Sequence, residues 1–388
     1  MNLRLLSPLF VAIILLTLAC DPSARTRTSQ PATERSVYSA DGVEFVAPKN
    51  VILMIGDGMG ITQITAGMYM NGNKLNLEKF KTVGLHKSYS ADNLVTDSAA
   101  GATAFSAGIK TYNGAIGVDV DTNAVRTILE EAEQRGMPTG MVATSTIVHA
   151  TPASFIAHQP SRKMYDAIAA DFLKTEIDLF IGGGRNYFMA REDGRTLYQE
   201  LKDRNYQMAD FLDQEVGQVE IDPTKNFGYL TSNSDPVPVA MGRDYLVPAS
   251  RVAVNFLEER AKVSDTGFFL MIEGSQIDWG GHSNESEYII SEMIDFDNAI
   301  GEVLKFAERN GETLVIVTAD HETGGYAINP GSTMDTIVSG FTSDYHTAAL
   351  IPVFAQGPGA ELFSGIYENT AIYHKMRRAL GFEPTPLK

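Results

Sequence analysis

Seven side chains of kinds that bind metal ions follow apolar runs of this chain or lie a few residues beyond them. They are Asp57, Glu273, Asp278, His282, Asp320, His321 and His346. Mixed carboxylate and imidazole ligands are typical of zinc sites, whereas sites made only of oxygen ligands favour magnesium. One acid after one strand is ordinary, but several acids and histidines after several strands predict a site for divalent cations.

The spacing within this set also carries information. Asp278 and His282 are four residues apart, which places both side chains on one side of a helical turn or tight loop. Asp320 and His321 are adjacent, so in a loop they can reach the same ion or neighbouring ions. A lone histidine is more often structural or solvated, and three histidines receive that interpretation: His86, His158 and His374.

Ser98 lies in the stretch TDSAAGATAFS, where small residues dominate from Ala99 onward and favour a helix. In one interpretation, Asp97 or Ser98 only caps that helix. In the other, Ser98 is a nucleophile at the amino end of the helix, where backbone N–H groups and the helix dipole favour an anion. The motif alone leaves both interpretations open.

The elements that must position these residues are apolar strands that alternate with helices. Residues 51–55 are apolar and run into Gly56-Asp57-Gly58, so Asp57 is predicted at the carboxyl end of a buried strand. Similar runs deliver Glu273, Asp320 with His321, His149 with Thr151, and the glycines 182–184. The alternation predicts an α/β fold with a large, mostly parallel central sheet and helices on both faces. Residues 185–250 are loosely patterned and are interpreted as peripheral helices and loops.

Charge and length limit the classes of function. The chain has 388 residues and a net charge of −17, from 31 basic and 48 acidic residues. This balance argues against nucleic acid, and against an anionic membrane surface, as the main partner. An anionic substrate would also be repelled, unless bound divalent ions outweigh the charge of the protein locally.

The amino-terminal residues predict export. Arg4 precedes an apolar run over residues 9–19, which has the form of a secretory signal. The following LTLAC resembles a bacterial lipoprotein processing box and ends in Cys20, the only cysteine. The alternative is a plain export signal in which Cys20 is incidental. We therefore predict a signal peptide over 1–20, a flexible tether over 21–46, a catalytic domain over 47–388, and a location in the bacterial periplasm or cell envelope with a possible lipid anchor.

Six motifs together resemble those of the alkaline phosphatases, in the same order and at compatible spacings. They are GDGMG, TDSAAGAT, HAT with SRK downstream, EGSQIDWGGH, TADHE and the late His346. The resemblance runs from about residue 50 to 357 and is weak through 185–250. It implies a homodimeric α/β enzyme that hydrolyses small phosphate monoesters and uses two zinc ions and one magnesium ion per subunit.

The resemblance also implies a role for each matching residue. Ser98 would be the phosphorylated nucleophile, and Arg162 would clamp the phosphoryl oxygens through its bidentate guanidinium. The metal ligands would be Asp278, His282 and His346 for one zinc ion, Asp57, Asp320 and His321 for the other, and Asp57, Thr151 and Glu273 for magnesium. Two such metals clamp the attacking and leaving oxygens of a phosphoryl transfer.

Two residues depart from the pattern of some relatives. His149 stands where some carry Asp, and it is expected to touch the magnesium ion or its water shell, close to phosphate. Trp279 stands where some carry Lys or His, so phosphate would be held less tightly and released sooner.

Three other functions compete with this one. A sulfatase would need Cys or Ser followed by x-Pro-x-Arg, whereas Ser98 is followed by Ala-Ala-Gly. A phosphodiesterase of the same broad class would usually have a threonine-type nucleophile and no phosphate-clamping arginine at this place. A non-catalytic surface lipoprotein that captures phosphate would need Arg162 but no complete set of metal ligands.

Overall fold

A ten-stranded sheet forms the centre of the fold, in a computed structural model that describes residues 37–40 and 43–382. Its strands, in spatial order, are β16 (Gly365–Glu368), β4 (Thr82–Lys87), β15 (Leu350–Gln356), β10 (Thr313–Thr318), β3 (Asn50–Gly56), β9 (Phe269–Gly274), β5 (Thr139–Thr146), β6 (Leu179–Gly183), β8 (Asn226–Leu230) and β7 (Tyr206–Asp210). Neighbouring strands are parallel, except that β15 runs antiparallel to β4 and β10. The predicted mostly parallel α/β sheet is confirmed.

Helices cover both faces of this sheet. In the described residues they are α1 (Ile61–Met70), α2 (Ser98–Ala107), α3 (Ile128–Gln134), α4 (Ala150–Ile156), α5 (Tyr165–Asp171), α6 (Arg185–Met189), α7 (Leu197–Asp203), α8 (Leu246–Ser264), α9 (Gln276–His282), α10 (Ser286–Asn310) and α11 (Thr370–Ala379). Helix α3 begins at Ile128, because Thr127 and Glu130 form a capping box there.

The central strand β3 separates two hydrophobic cores. Val51, Leu53 and Ile55 belong to one core, while Ile52 and Met54 belong to the other. Every residue of β3 is buried, as expected for a parallel strand with helices on both sides. The continuous apolar run before Asp57 therefore reflects burial on two faces.

Short strands add smaller sheets outside the central one. They are β1 (Val37–Ala40) with β2 (Val43–Val46), β11 (Glu322–Thr323) with β14 (His346–Thr347), and β12 (Ala327–Ile328) with β13 (Ser339–Gly340). The β1–β2 pair shows that the predicted tether over 21–46 is wrong at its carboxyl end, since Phe45 lies buried in the core. The predicted signal peptide and the tether residues up to 36 lie outside the described residues.

The loosely patterned stretch from 185 to 250 contributes two sheet strands, so its interpretation as peripheral helices and loops is incomplete. β8 pairs with β6 and carries β7 at the edge of the sheet. Within the part of the chain that the structure describes, no helix has the length and apolar character that a membrane crossing requires.

Several of the predicted metal ligands lie at one edge of the sheet, where the parallel strands end. Asp57 follows β3, Asp320 and His321 follow β10, and Glu273 lies near the end of β9. His346 reaches the same edge from the opposite direction, because the antiparallel strand β15 starts four residues after it, where Leu350 pairs with Lys87. A single reversed strand thus brings a late residue to the carboxyl ends of the parallel strands.

A cleft of about 760 Å³ lies at the opposite end of the strands, where Pro138 and Asp178 precede β5 and β6. Asp178 accepts a hydrogen bond from the Thr139 backbone and pairs with Arg260 at 2.6 Å. Burial, and next the charge of Asp178, raises the pKa of Glu133 to about 9. Glu133 therefore keeps a proton in the folded protein at neutral pH.

Replacing Glu133 by glutamine should stabilise the protein increasingly as the pH rises. Between the ordinary pKa of 4.5 and the folded value of about 9, the folded state holds a proton that the unfolded state has lost. Stability therefore declines as the pH rises through this window, and the amide escapes that decline. Melting temperatures at pH 5, 7 and 9 would measure it, with the exposed Glu361→Gln as the control. A difference between Glu133→Gln and the parent that does not change with pH would contradict it.

Candidate active site

Ser98 is the first residue of α2, and its hydroxyl is almost completely buried. Asp97 caps the helix by accepting a hydrogen bond of 3.0 Å from the Ala100 N–H. Ser98 Oγ lies 3.3 Å from His321 Nε2, beside the acids at the strand ends. The ten-residue helix directs its amino end, and therefore its positive dipole end, toward Oγ.

Arg162 is tied to the same helix start. Its Nη1 donates to Asp97 Oδ2 at 3.0 Å, and its backbone N–H donates to the Gly114 carbonyl at 2.7 Å. Asp97 Oδ1 also accepts from the Gly114 N–H at 3.0 Å. Asp97 thus caps the helix and also fixes the guanidinium, a second role that the sequence pattern did not reveal.

Asp278, His282 and His346 form the first group of potential metal ligands. Helix α9 carries Asp278 and His282 one turn apart, as the spacing predicted. Their ligand atoms and that of His346 lie within 4.8 Å of one another, and the two Nε2 atoms are 3.1 Å apart. Two imidazole nitrogens at that separation, beside a carboxylate, fit a shared cation.

Backbone carbonyls orient both imidazoles of this first group. His282 Nδ1 donates to the Asp344 carbonyl at 2.7 Å, and His346 Nδ1 donates to the Thr96 carbonyl at 2.8 Å. With Nδ1 protonated, the Nε2 lone pairs are directed to the common centre. The carboxylate of Asp278 lies 3.4 Å from His282 Nε2 and raises the pKa of His282 to about 9, so a positive charge, either a proton or a cation, is favoured at Nε2.

Asp57, Asp320 and His321 form the second group, next to Ser98. His321 Nε2 lies 3.5 Å from Asp57 Oδ1 and 3.2 Å from Asp320 Oδ2. All three side chains are buried, and burial followed by the charge of Asp320 raises the pKa of Asp57 well above its ordinary value. The charged forms of these carboxylates are therefore unfavourable unless a cation is bound beside them.

Asp57, Glu273 and His149 form a third group, and their ligand atoms also lie within 4.8 Å of one another. Thr151, predicted as a ligand here, lies in the first turn of α4, two residues after His149. Burial raises the pKa of Glu273 to about 8, so its charged form is unfavourable here unless a cation is bound.

Several buried atoms in these groups have no hydrogen-bond partner in the described part of the chain. They are Oδ1 and Oδ2 of Asp57, Oδ2 of Asp320, Oε1 of Glu273, Oγ1 of Thr151 and Nδ1 of His149. Buried polar atoms normally have partners, and unpaired carboxylate oxygens are especially unfavourable. Their chemistry matches the oxygen and nitrogen donors that divalent cations bind, so the residues present fit bound metal ions.

A glycine lets two of the groups approach each other. Gly58 has a φ of +72°, and a Cβ there would lie 2.7 Å from the Asp278 Cα. Any larger residue would separate the loop after β3 from α9. This close approach explains why glycine follows Asp57 in the sequence.

His149 lies beside the guanidinium of Arg162, and Trp279 lies beside His149. The rings of Trp279 and His149 are 6.1 Å apart and nearly perpendicular, and His149 Nε2 is 3.4 Å from Arg162 Nη2. His149 is therefore placed next to the candidate phosphate clamp and Trp279 next to His149, while the roles of both residues stay predictions. Burial, and next the charge of Arg162, lowers the pKa of His149 to about 3, so its ring is neutral.

The sequence analysis missed residues that support the ligands. Glu322 accepts hydrogen bonds from Gln63 at 2.7 Å and from the Tyr326 N–H at 3.0 Å, which fixes the loop after His321. Thr323 donates to Asp278 Oδ1 at 2.5 Å and so links the first two groups. The motif TADHE contains Glu322, but nothing in its spacing indicates which partner it binds.

Known proteins share both the sequence and the fold. The sequence profile of the alkaline phosphatase family matches residues 48–339. Alkaline phosphatase 3 of Bacillus subtilis is 39% identical over 79% of this chain and 67% of its own length. The alkaline phosphatase of Escherichia coli is 30% identical over 88% of each chain.

Solved structures agree with these matches. The alkaline phosphatase of the Antarctic bacterium TAB5 has a TM-score of 0.80 and 44% identity, over 88% of this chain and all of its own. A variant of that enzyme has Mg bound in its M3 site, with a TM-score of 0.81 and 43% identity over the same shares.

Proposed function

The chain belongs to the alkaline phosphatase family and is a phosphoric monoester hydrolase, and on this premise we propose that it acts through a phosphoserine at Ser98. We further propose that each subunit uses two zinc ions and one magnesium ion and that two subunits form a homodimer. The observation that carries the proposal is the position of Ser98 Oγ, 3.3 Å from His321 Nε2 at a helix amino end. Arg162 is fixed beside it through Asp97.

The three groups of ligands support the assignment of the ions. Asp278, His282 and His346 would hold one zinc ion, and Asp57, Asp320 and His321 the other. Asp57, Glu273 and Thr151 would hold magnesium, with His149 at the same site. When bound, such ions supply concentrated positive charge for a phosphate dianion and lower the pKa of oxygen nucleophiles. The magnesium-bound variant of the TAB5 enzyme is consistent with a third site.

The residues of the chain account for the binding and first transfer steps. Arg162 binds two equatorial oxygens of the phosphoryl group, and the amino end of α2 favours negative charge on Ser98 Oγ. Oγ gives its proton to solvent water and forms a bond to phosphorus, while the bond from phosphorus to the alcohol oxygen breaks. The departing alkoxide takes a proton from water and leaves as the alcohol.

The second step restores the enzyme. Water attacks the phosphorus of the phosphoserine and releases a proton to solvent, while the bond from phosphorus to Oγ breaks and Oγ takes up a proton from solvent. Inorganic phosphate leaves from Arg162. Asp97 holds the guanidinium in place through both steps, since its Oδ2 lies 3.0 Å from Nη1.

Trapping the intermediate would test this proposal. The enzyme is mixed with a phosphate monoester and quenched in acid within milliseconds to seconds, and the digested peptides are weighed. We expect one phosphate on the peptide that contains Ser98, and none in Ser98→Ala. The phosphoserine proposal would be overturned if phosphate appeared on another residue in the presence of substrate, or if no peptide carried phosphate while substrate was being turned over. The assignment to the family would still stand.

Replacing Trp279 by lysine should tighten inhibition by inorganic phosphate. Trp279 contacts His149, which lies 3.4 Å from Arg162, so an ammonium there would add positive charge near bound phosphate. The binding free energy of phosphate should become more favourable by about 1 kcal/mol at an effective dielectric near 20, which lowers the inhibition constant about fivefold. Slower turnover at high substrate should accompany it, because phosphate leaves more slowly.

Trp279→Phe is the control for this change, because it keeps a ring without adding charge. Inhibition constants for inorganic phosphate in the three proteins separate the interpretations. An unchanged or weaker constant in Trp279→Lys would show that Trp279 acts by packing against His149 alone.

We also propose that the protein is exported to the periplasm or cell envelope and anchored by a lipid on Cys20. The apolar run over 9–19 and the LTLAC sequence support this. Cys20→Ser should yield a soluble or uncleaved form, whereas the unaltered protein should partition with membranes. Mass spectrometry of the mature amino terminus decides the question. An unmodified terminus at another residue would refute the anchor and leave export standing.

A further inference from the structure

Three aromatic rings form a column that begins beside the nucleophile. The rings of His321 and His346 are 3.5 Å apart at an angle of 17°, and those of His346 and Tyr345 are 4.4 Å apart at 10°. Ser98 Oγ touches His321 at the buried end. Tyr345 ends the column with 47% of its surface exposed, so the column runs from the nucleophile to the mouth of the site.

The in-line geometry of phosphoryl transfer indicates where the leaving group of the substrate lies relative to this column. The attacking and leaving oxygens lie on opposite sides of phosphorus. With Ser98 next to His321, the leaving oxygen points toward the group that contains His282 and His346. Tyr345 is the aromatic residue next to that group, since its ring is 4.4 Å from that of His346 and 5.8 Å from that of His282.

Backbone hydrogen bonds hold Tyr345 in this position. Its carbonyl accepts a hydrogen bond of 2.9 Å from the Gly324 N–H, and its own N–H donates to Ser343 Oγ at 2.9 Å. The ring therefore presents a fixed surface beside the group that contains His346.

We propose that Tyr345 forms the leaving-group subsite and makes the enzyme favour phosphate monoesters of aromatic alcohols over those of small aliphatic alcohols. The proposal rests on the proposed function, because it names a substrate class for the same site. A phenolic or other planar leaving group stacks on the exposed ring face or against its edge. A small aliphatic leaving group passes the same ring with little contact.

The competing explanation is that Tyr345 only supports His346. The structure gives His346 another support, since its Nδ1 donates to the Thr96 carbonyl at 2.8 Å. If Tyr345 only supports His346, its loss would weaken the binding of every phosphate compound alike. If Tyr345 forms a subsite, its loss would weaken the binding of aromatic compounds selectively. The two roles therefore differ in a ratio that can be measured.

The test compares kcat/KM for phenyl phosphate and glycerol phosphate in the unaltered enzyme, Tyr345→Ala and Tyr345→Phe. It adds the dissociation constants of phenylphosphonate, methylphosphonate and inorganic phosphate, which are not cleaved. We expect Tyr345→Ala to lose about fivefold in selectivity for phenyl phosphate and about the same in phenylphosphonate affinity. Tyr345→Phe should keep both, and binding of methylphosphonate and inorganic phosphate should not change.

An equal loss for both substrates and both phosphonates in Tyr345→Ala would overturn the subsite and assign Tyr345 to the support of His346. Unchanged selectivity in Tyr345→Ala would overturn it as well. Failure of the proposed phosphoserine would appear elsewhere, as a missing phosphopeptide, while the phosphonate ratio would still decide the role of Tyr345.

Discussion

Replacement of Ser98 by alanine is expected to lower kcat/KM for phosphate monoesters by three orders of magnitude or more, about 4 kcal/mol of transition-state stabilisation. The reason is geometric, because Ser98 Oγ lies at the amino end of α2, 3.3 Å from His321 Nε2. Slow direct attack by water is the expected residual activity. Folding and zinc content should remain close to those of the unaltered protein.

Ser106→Ala is the matched control for this variant. Ser106 is also a buried serine of α2, and its hydroxyl donates to the Ser154 carbonyl at 2.6 Å, away from the ligands. Its loss should reduce stability and preserve turnover. Steady-state kinetics, elemental analysis and thermal melting of the two variants distinguish a nucleophilic role of the serine hydroxyl from a role in packing. Activity in Ser98→Ala close to that of the unaltered enzyme would refute the assignment.

Removal of metal ions is expected to abolish activity and to lower the melting temperature by at least about 10 °C, because it leaves buried carboxylates without compensation. Asp57 is the extreme case, with both oxygens buried and without hydrogen bonds in the described residues. Zinc and magnesium added together should restore activity and stability. Melting curves with and without a chelator, with metal content verified, measure the effect.

Asp57→Asn offers a second measure of the same effect. It keeps the size of the side chain but removes a charge that two ligand groups share, so it should bind fewer ions and respond less to the chelator. The exposed Asp335→Asn should behave as the unaltered protein does. Identical melting of the unaltered protein before and after verified removal of the ions would contradict the prediction.

The sequence predicted the parts of the fold where one pattern dominates. Residues 51–55 are buried on two faces, so their apolar run indicated a central strand, and the i, i+4 spacing of Asp278 and His282 indicated a helical turn. β7 and β8 escaped notice because they lie toward one edge of the sheet. Their sequences, YQMAD and NFGYL, mix polar and aromatic residues rather than forming apolar runs.

Parts of the site escaped prediction because they depend on contacts between distant segments. Asp97 was recognisable as a helix cap, but its hydrogen bond to Arg162 joins residues 65 positions apart. Tyr345 gave no signal, because its ring is placed by the stack on His346 and His321. Residues 37–46 have little periodicity, yet two strands pair there and Phe45 is buried by later parts of the chain.

The reversed strand β15 has a consequence for how the protein matures. His346 joins Asp278 and His282 only when β15 is inserted between β4 and β10. The strands β4 and β10 lie at opposite ends of the domain sequence. A chain still emerging from the ribosome or the export channel therefore lacks one ligand until nearly all of it is present. Full metal loading must then follow completion of the sheet, so that incomplete or truncated chains stay inactive and only finished molecules become competent.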